Sequence, residues 1–189
     1  MGAEKYDLVS VEDYLAAEET SEVKHEYLAG LVYAMSGASR AHNVIAGNIY
    51  VFLRESLKGN PCEAYMSDVR LHITSTNTGE VFYYPDVVVT CDPDDNDTHR
   101  IERPSVIFEV LSESTERVDR REKRLYYQHI PNLKQYVLIA QDEAKAESLI
   151  LGEEIKEEAF ESLDATLPLP SLALEIPLRR IYEGIFPQP

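Results

Sequence analysis

Cysteine is scarce in this chain of 189 residues, with only Cys62 and Cys91 present. The two are isolated from each other, show no CxxC spacing and have no matching histidine cluster, so neither a disulfide framework nor a zinc site is suggested. Both are expected to pack as thiols. Long apolar runs are missing as well: PDVVV and SVIFEVL are among the longest, far short of the roughly 20 residues of a membrane span. The N-terminus MGAEKYDLVS has no hydrophobic signal core, and Tyr6 stands where a myristoylation site needs Ser or Thr. These absences lead to the expectation of a cytoplasmic, soluble protein with no membrane partner. Basic charge is also in short supply. Eighteen Lys and Arg against 34 Asp and Glu leave a net charge of −16, a field that repels polyanions over about a Debye length and argues against loose nucleic-acid binding.

Hydrophobic residues make up 44% of the chain and charged residues 28%, with no repeat or low-complexity tract. That composition is ordinary for a globular protein, and the length suits one domain over residues 1–189. A short helix is expected from Val11 to Glu18 with Ser10 as its N-cap. It is followed by a hairpin that turns at Ala29 and Gly30. From the cap Ser39 to the stop Gly59, Ile45, Ile49, Phe52, Leu53, Ser56 and Leu57 recur at helical spacing, which calls for a helix lying on a sheet. Strands follow at CEAYM, VRLHIT and VFYYPDVVVT, the last two joined by the turn STNTGE. SVIFEVL, then a helix over ERVDRREKRLYYQH that Pro131 ends, then LKQYVLIA, form the strand, helix, strand signature of a parallel crossover. The tail from about Lys145 supplies a strand and helix extension ending in PLRRIYEGI. The fold class is α/β, a mixed sheet flanked by helices.

Two carboxylates stand in apolar strands. Strand alternation through VFYYPDVVVT puts Phe82, Tyr84, Asp86, Val88 and Thr90 on one face. In SVIFEVLS it groups Ile107, Glu109 and Leu111 against Val106, Phe108 and Val110. With both faces apolar, that second strand is central and Glu109 buried, a costly place for a charge without a cation or hydrogen-bond donors to compensate it. Taken singly, each acid has a structural reading, a turn cap for Asp86 or an ion pair for either. As a pair on neighbouring strands they suit Mg²⁺ or Mn²⁺ with a backbone carbonyl. Lys123, on the following helix, is placed to point back across the strand ends. Asp119, four residues earlier, offers it an ordinary surface pair, and Asp119 with Glu122 also resembles a capping pair.

The order and spacing of YPDVVV, RPSVIFEVLSEST and DRREKRLYY resemble the Uma-two family, a restriction-endonuclease-like group whose core has the PD-(D/E)xK nuclease fold. The likeness extends through KHEYLAGLVYAMSGASRAHN, CEAYMSDVRL and IPNLKQYVLI. It implies that Asp86 is the motif aspartate, Glu109 the second acid and Lys123 a lysine displaced onto the next helix, since Leu111 occupies the motif's own lysine position. It further implies phosphodiester hydrolysis with Mg or Mn held by Asp86, Glu109 and the Val110 carbonyl, nucleic acid (DNA) as partner, and a homodimer or higher homo-oligomer. A nuclease fold that has lost activity and binds a partner is the alternative, and hydrolysis of a small phosphoester is a third reading. Glu26 and His42, in the family-like HE and SGASRAHN segments, are auxiliary ligands or supporting residues by the same resemblance. His42 also lies where a helix N-terminus would use it. Ser112, Ser114 and Thr115 follow the second acid, where a helix start could bind phosphate or simply be capped. The Asp-rich CDPDDNDTHR does not fit an EF-hand, because Asp97 and Arg103 occupy the positions that require Gly and Glu. The segment 116–124, with five basic and three acidic residues, is locally +2, most simply a solvated helix face.

Overall fold

In the computed structural model, residues 8–75, 79–112 and 115–186 are described. In chain order they form α1 (Val11–Glu18), β1 (His25–Leu28), β2 (Leu31–Ala34), α2 (Arg40–Ser56), β3 (Glu63–Met66), β4 (Arg70–Ser75), β5 (Gly79–Tyr83), β6 (Val87–Thr90), β7 (Arg100–Ile101) and β8 (Pro104–Leu111). A π-helical segment (Val118–Lys123) then leads into α3 (Arg124–Tyr127), β9 (Gln135–Ala140), β10 (Lys145–Ile150), β11 (Lys156–Glu161), β12 (Thr166–Leu169), β13 (Leu174–Pro177) and α4 (Leu178–Ile181). One sheet runs β2-β1-β5-β4-β7, a second β11-β10-β9-β8-β6-β3, and β12 pairs with β13. Among the described residues no helix is long and apolar enough to cross a membrane.

Local chemistry sets the boundaries of the first elements. The hydroxyl oxygens of Ser10 and Ser39 accept hydrogen bonds from the Asp13 and His42 N–H groups at 3.1 and 3.0 Å, satisfying donors that a helix start leaves free. At the hairpin, Ala29 and Gly30 have φ of 47° and 100°, the paired positive values of the turn that matches strand twist. α2 buries Ile45, Ala46, Ile49 and Leu53 on the six-stranded sheet, each such large aliphatic contributing about 1.5–3 kcal/mol.

The six-stranded sheet has apolar material on both faces. α2, β12, β13 and α4 cover Val87, Val89, Phe108 and Val137. The five-stranded sheet and α3 cover Val88, Ile107, Leu111 and Tyr136. β8 is central, antiparallel to β6 and parallel to β9, so the crossover reading holds, as do the alternation through SVIFEVL and the burial of Glu109.

Two expectations are corrected. VFYYPDVVVT is not one strand: β5 ends at Tyr83 in the first sheet, and β6 starts at Val87 in the second. Pro85 lacks the N–H a continuous ladder needs, and the link between the sheets passes through Tyr84, Pro85 and Asp86. The proposed face from Phe82 to Thr90 therefore does not exist. Phe82 packs with Tyr14 and Tyr27, while Val87 through Thr90 are buried without alternation. Cys62 and Cys91 are not separate thiols but a disulfide, with Cα atoms 4.0 Å apart. Antiparallel β3 and β6 pair Glu63 with Thr90, so the residue before one and the residue after the other fall opposite each other. The helix expected over ERVDRREKRLYYQH is present, with a π-helical stretch at Val118–Lys123 leading into α3. Residues 76–78 of the STNTGE turn lie outside the described residues.

Candidate active site

β6 begins one residue after Asp86, and this offset builds the site. Val87 is paired with Phe108, so beyond Phe108 strand β8 has no β6 neighbour on that side. The Val110 N–H instead donates to Asp86 Oδ2 at 2.7 Å, and the Asp86 N–H to Glu109 Oε2 at 3.3 Å. A strand residue presents its N–H and C=O to the same neighbour, so the Val110 carbonyl faces the same open strand end. The chain thus uses side-chain carboxylates where the ladder stops, and both converge there.

Glu109 is held from the other side by the helix. Its Oε1 accepts from Lys123 Nζ and from the Tyr127 hydroxyl, each at 3.0 Å. Lys123 Nζ also lies 3.1 Å from Asp119 Oδ1 and 3.5 Å from Glu26 Oε1, and 5.5 Å from the centre of the Tyr83 ring. The pairing of Asp119 with Lys123 read from the sequence is present, but inside the protein: the side chains are 2% and 7% exposed. Asp119 Oδ1 makes no hydrogen bond of good geometry. His42, at the start of α2, places Nε2 3.2 Å from Asp86 Oδ2.

These groups open onto one cavity of about 540 Å³, lined by Glu26, His42, Asp86, Glu109, Asp119 and Lys123 among others. All of the sequence-nominated side chains therefore meet, and Val110 contributes backbone. Asp119 and Tyr127 were missed as members of the site. Their signal was available, because Asp119, Lys123 and Tyr127 recur every four residues, the spacing that keeps side chains on one helix face. Ser112 and Thr115 bond to each other at 3.0 Å and cap the turn that follows, and Ser114 lies outside the described residues. The Asp-rich loop consumes its own acids: Asp95 accepts from the Glu102 and Arg103 N–H groups, and Asp92 pairs with Arg103.

Charge in the cavity is unbalanced. Glu26, Asp86, Glu109 and Asp119 face one lysine and one histidine. Burial, helped by Asp119 and Asp86, pushes the Glu109 carboxyl well above the usual range against the pull of Lys123. Burial also raises Glu26, again opposed by Lys123. Burial disfavours the Lys123 ammonium, yet Glu109, Asp119 and Glu26 outweigh it and hold the lysine charged well above its ordinary range. For His42 burial again works against the charge, and the hydrogen bond and field of Asp86, with the Val110 backbone, prevail and raise it.

The donor set fits a hard divalent cation only in part through side chains. Among the described residues no three His, Cys, Asp or Glu form a metal-ligand group. A cation here would take Asp86, Glu109 and the Val110 carbonyl and complete its shell with water, as Mg²⁺ commonly does.

Comparison with known proteins places the chain in a family. Residues 11–179 match the model of the family Uma2, described as "Putative restriction endonuclease". Two uncharacterized proteins of Synechocystis sp. are similar in sequence. One, slr1290, is 41% identical over 133 residues, 70% of this chain and 68% of the relative. The other, sll1609, is 34% identical over 137 residues, 71% and 76% of the two chains. In fold, the chain resembles the crystal structure of a "putative nuclease belonging to DUF820" from Anabaena variabilis. The TM-score is 0.75 at 18% identity, over 94% of this chain and 99% of the other. With residues 11–179 matched, this chain belongs to the Uma2 family of restriction-endonuclease-like proteins.

Proposed function

We propose that the protein is a metal-dependent endonuclease, a single nuclease-like domain that hydrolyses phosphodiester bonds in nucleic acid, DNA in the first instance. One observation carries the reading: at the inner end of the cavity Glu26, Asp86, Glu109 and Asp119 are met only by the buried Lys123 ammonium and by His42 among the described residues, an excess of negative charge that a divalent cation would balance. Mg²⁺ or Mn²⁺ would be held by Asp86, Glu109 and the Val110 carbonyl. When bound, such an ion supplies an activated water and neutralises charge in the transition state. The protein's own part is orientation and electrostatics. Tyr127 and Lys123 commit Glu109 Oε1, which leaves Oε2 toward Asp86. Lys123, held as ammonium, stands ready to orient the attacking water or to offset charge developing on the phosphate. His42 steadies Asp86 from α2, and Glu26 helps hold Lys123 in place.

A catalytically inactive nuclease fold is the second reading. It is favoured by Glu109 Oε1 being already saturated and by the net charge of −16. Assembly as a homodimer is part of the first proposal, since two copies would double any local positive surface. We also propose a cytoplasmic location. The Cys62–Cys91 disulfide argues the other way, because cytosolic thiols are kept reduced.

Calorimetric titration of Mn²⁺ and Mg²⁺ into the wild type and Glu109→Gln separates the readings without needing a substrate. Saturable binding that the substitution removes is expected. No binding in the millimolar range would leave the inactive reading. Where cleavage is found, Asp86→Asn and Glu109→Gln should each lower it at least about 100-fold with the fold intact, the scale on which removing one transition-state partner is felt. An unchanged rate in either variant would end the assignment.

A further inference from the structure

The inner end of the cavity is acidic, so a phosphate that enters needs a cation not already consumed there. Among the described residues Lys123, His42 and Lys24 are the basic side chains that line the cavity. Lys123 is shared by Glu26, Glu109 and Asp119, and His42 is paired with Asp86. Lys24 differs. Its one carboxylate partner among the described residues, Asp68, does not line the cavity and is 80% exposed, and water and salt screen a pair so placed.

The backbone fixes where this ammonium sits. β1 and β2 pair His25 with Ala34, and the Met35 N–H donates to the Lys24 carbonyl at 2.9 Å, so the antiparallel ladder reaches back to Lys24. Strand alternation then puts Lys24 and Glu26 on one face, about 7 Å apart along the chain. Glu26 reaches Lys123 at the inner end. The Lys24 side chain is 40% exposed where those of Glu109 and Asp119 are 3% and 2%, so it stands toward the mouth. Its Nζ donates to the Ser67 carbonyl at 3.1 Å, and the Ser67 N–H donates in turn to the Asp86 carbonyl at 3.2 Å. Ser67 has φ of 54°, a left-handed conformation that a serine keeps only where its surroundings enforce it. Lys24 Nζ also lies 5.6 Å from the centre of the Tyr84 ring, two residues ahead of Asp86. The ammonium is thus tied to the cavity wall by the same residues that frame Asp86.

We propose that Lys24 binds the phosphate next to the one presented for hydrolysis, so that the cavity takes a nucleic-acid strand two phosphates at a time. This rests on the nuclease reading above and deepens it by naming a binding residue and a preference for a strand over a mononucleotide. A compact, strongly charged ammonium with three donors can keep the Ser67 carbonyl and still meet phosphate oxygens. Asp68 occupies the place of that phosphate in the free protein, and its exposed carboxylate turns out to water when a strand binds. A nucleoside monophosphate has a single phosphate and can satisfy Lys24 or the inner site, not both.

The test is fluorescence anisotropy with a labelled single-stranded DNA of about 20 nucleotides, in EDTA to prevent turnover, over a series of NaCl concentrations. Wild type, Lys24→Ala, Asp68→Asn and the double variant are compared. Lys24→Ala is expected to bind about fivefold more weakly at low salt, with the slope of log affinity against log salt reduced by about 0.7, the share of one phosphate contact on a single strand. Asp68→Asn is expected to bind about twofold more tightly, and that gain should vanish in the double variant, where no ammonium is left to release. A pair that only ties the wall together would weaken binding in both single variants, and that result overturns the proposal. So does a gain from Asp68→Asn that survives in the double variant, which general charge would explain, and so does a wild type that ignores the strand. Asp68→Asn changes an exposed side chain, so its sign can be read whether or not Lys24→Ala costs stability. Mn²⁺ calorimetry on the wild type keeps the two ideas apart. A protein that titrates Mn²⁺ but ignores the strand refutes the role of Lys24 and spares the metal site. One that shows the expected cycle but takes no Mn²⁺ refutes the metal site and spares Lys24.

Discussion

Lys123 and Arg124 are consecutive residues, and the structure treats them in opposite ways. Lys123 is buried among Glu26, Glu109 and Asp119. Arg124 forms an ion pair with Glu157 of the edge strand β11, where both side chains meet solvent. Water and salt screen the second pair, so its worth is small. Burial leaves the first little contact with bulk solvent. Its ions gave up hydration to enter, and their mutual attraction repays that cost only while every partner is present. A charge's sequence neighbourhood thus says little about its energetics, and the face of the helix on which it falls says nearly all.

That contrast can be broken in steps of decreasing size. Lys123→Met should lower unfolding free energy by about 3–5 kcal/mol, because three acids lose their counter-charge in one substitution. Urea denaturation at neutral pH reads this, and a loss under about 1 kcal/mol would make Lys123 no more embedded than a surface residue. Added Mn²⁺ should restore part of the loss if the cavity takes a cation.

His42→Gln should have a smaller effect that depends on pH. The folded-state pKa of His42 lies above its ordinary value of 6.5. The stabilisation from its bond to Asp86 is therefore fully present below about pH 6.5 and is lost as pH rises through the raised value. The variant should melt below the wild type in acid, by an amount equivalent to about 1 kcal/mol, and the two curves should converge above neutrality. A gap that widened with pH would reverse the assigned sign. Arg124→Ala closes the series, with an expected cost of about 0.5 kcal/mol or less that fades in high salt.

Much of the site was legible because its parts are carried by short-range patterns. An acid on a strand with two apolar faces, an acid beside a proline, and a lysine on the next helix can each be found by counting. Asp119 stood in the same count and was read as a surface partner for Lys123. That was wrong about burial, because a π-helical turn and the overlying first sheet turn that face inward. Tyr127, four residues past Lys123, was missed because a tyrosine in the short apolar stretch that ends a charged helix reads first as core. The break at Pro85 was hidden by the apolar residues on both sides, which fit one long strand as well as two short ones. Nothing local marked Cys62 and Cys91 as partners, since only the register of β3 against β6 brings them together.

By itself the sequence determined the caps and extents of α1 and α2, the hairpin at Ala29 and Gly30, the central strand with its buried Glu109 and the parallel crossover after it. Those features depend on side-chain periodicity, hydrogen-bond capping and backbone freedom, which act within a few residues. Tertiary structure alone decided that Asp86 sits in a link between two sheets and that β6 stops short of Val110. It alone decided that Glu26, Glu109 and Asp119 share one ammonium, and that two cysteines meet. Each of these depends on which strand lies beside which and in what register, and burial far along the chain fixes that.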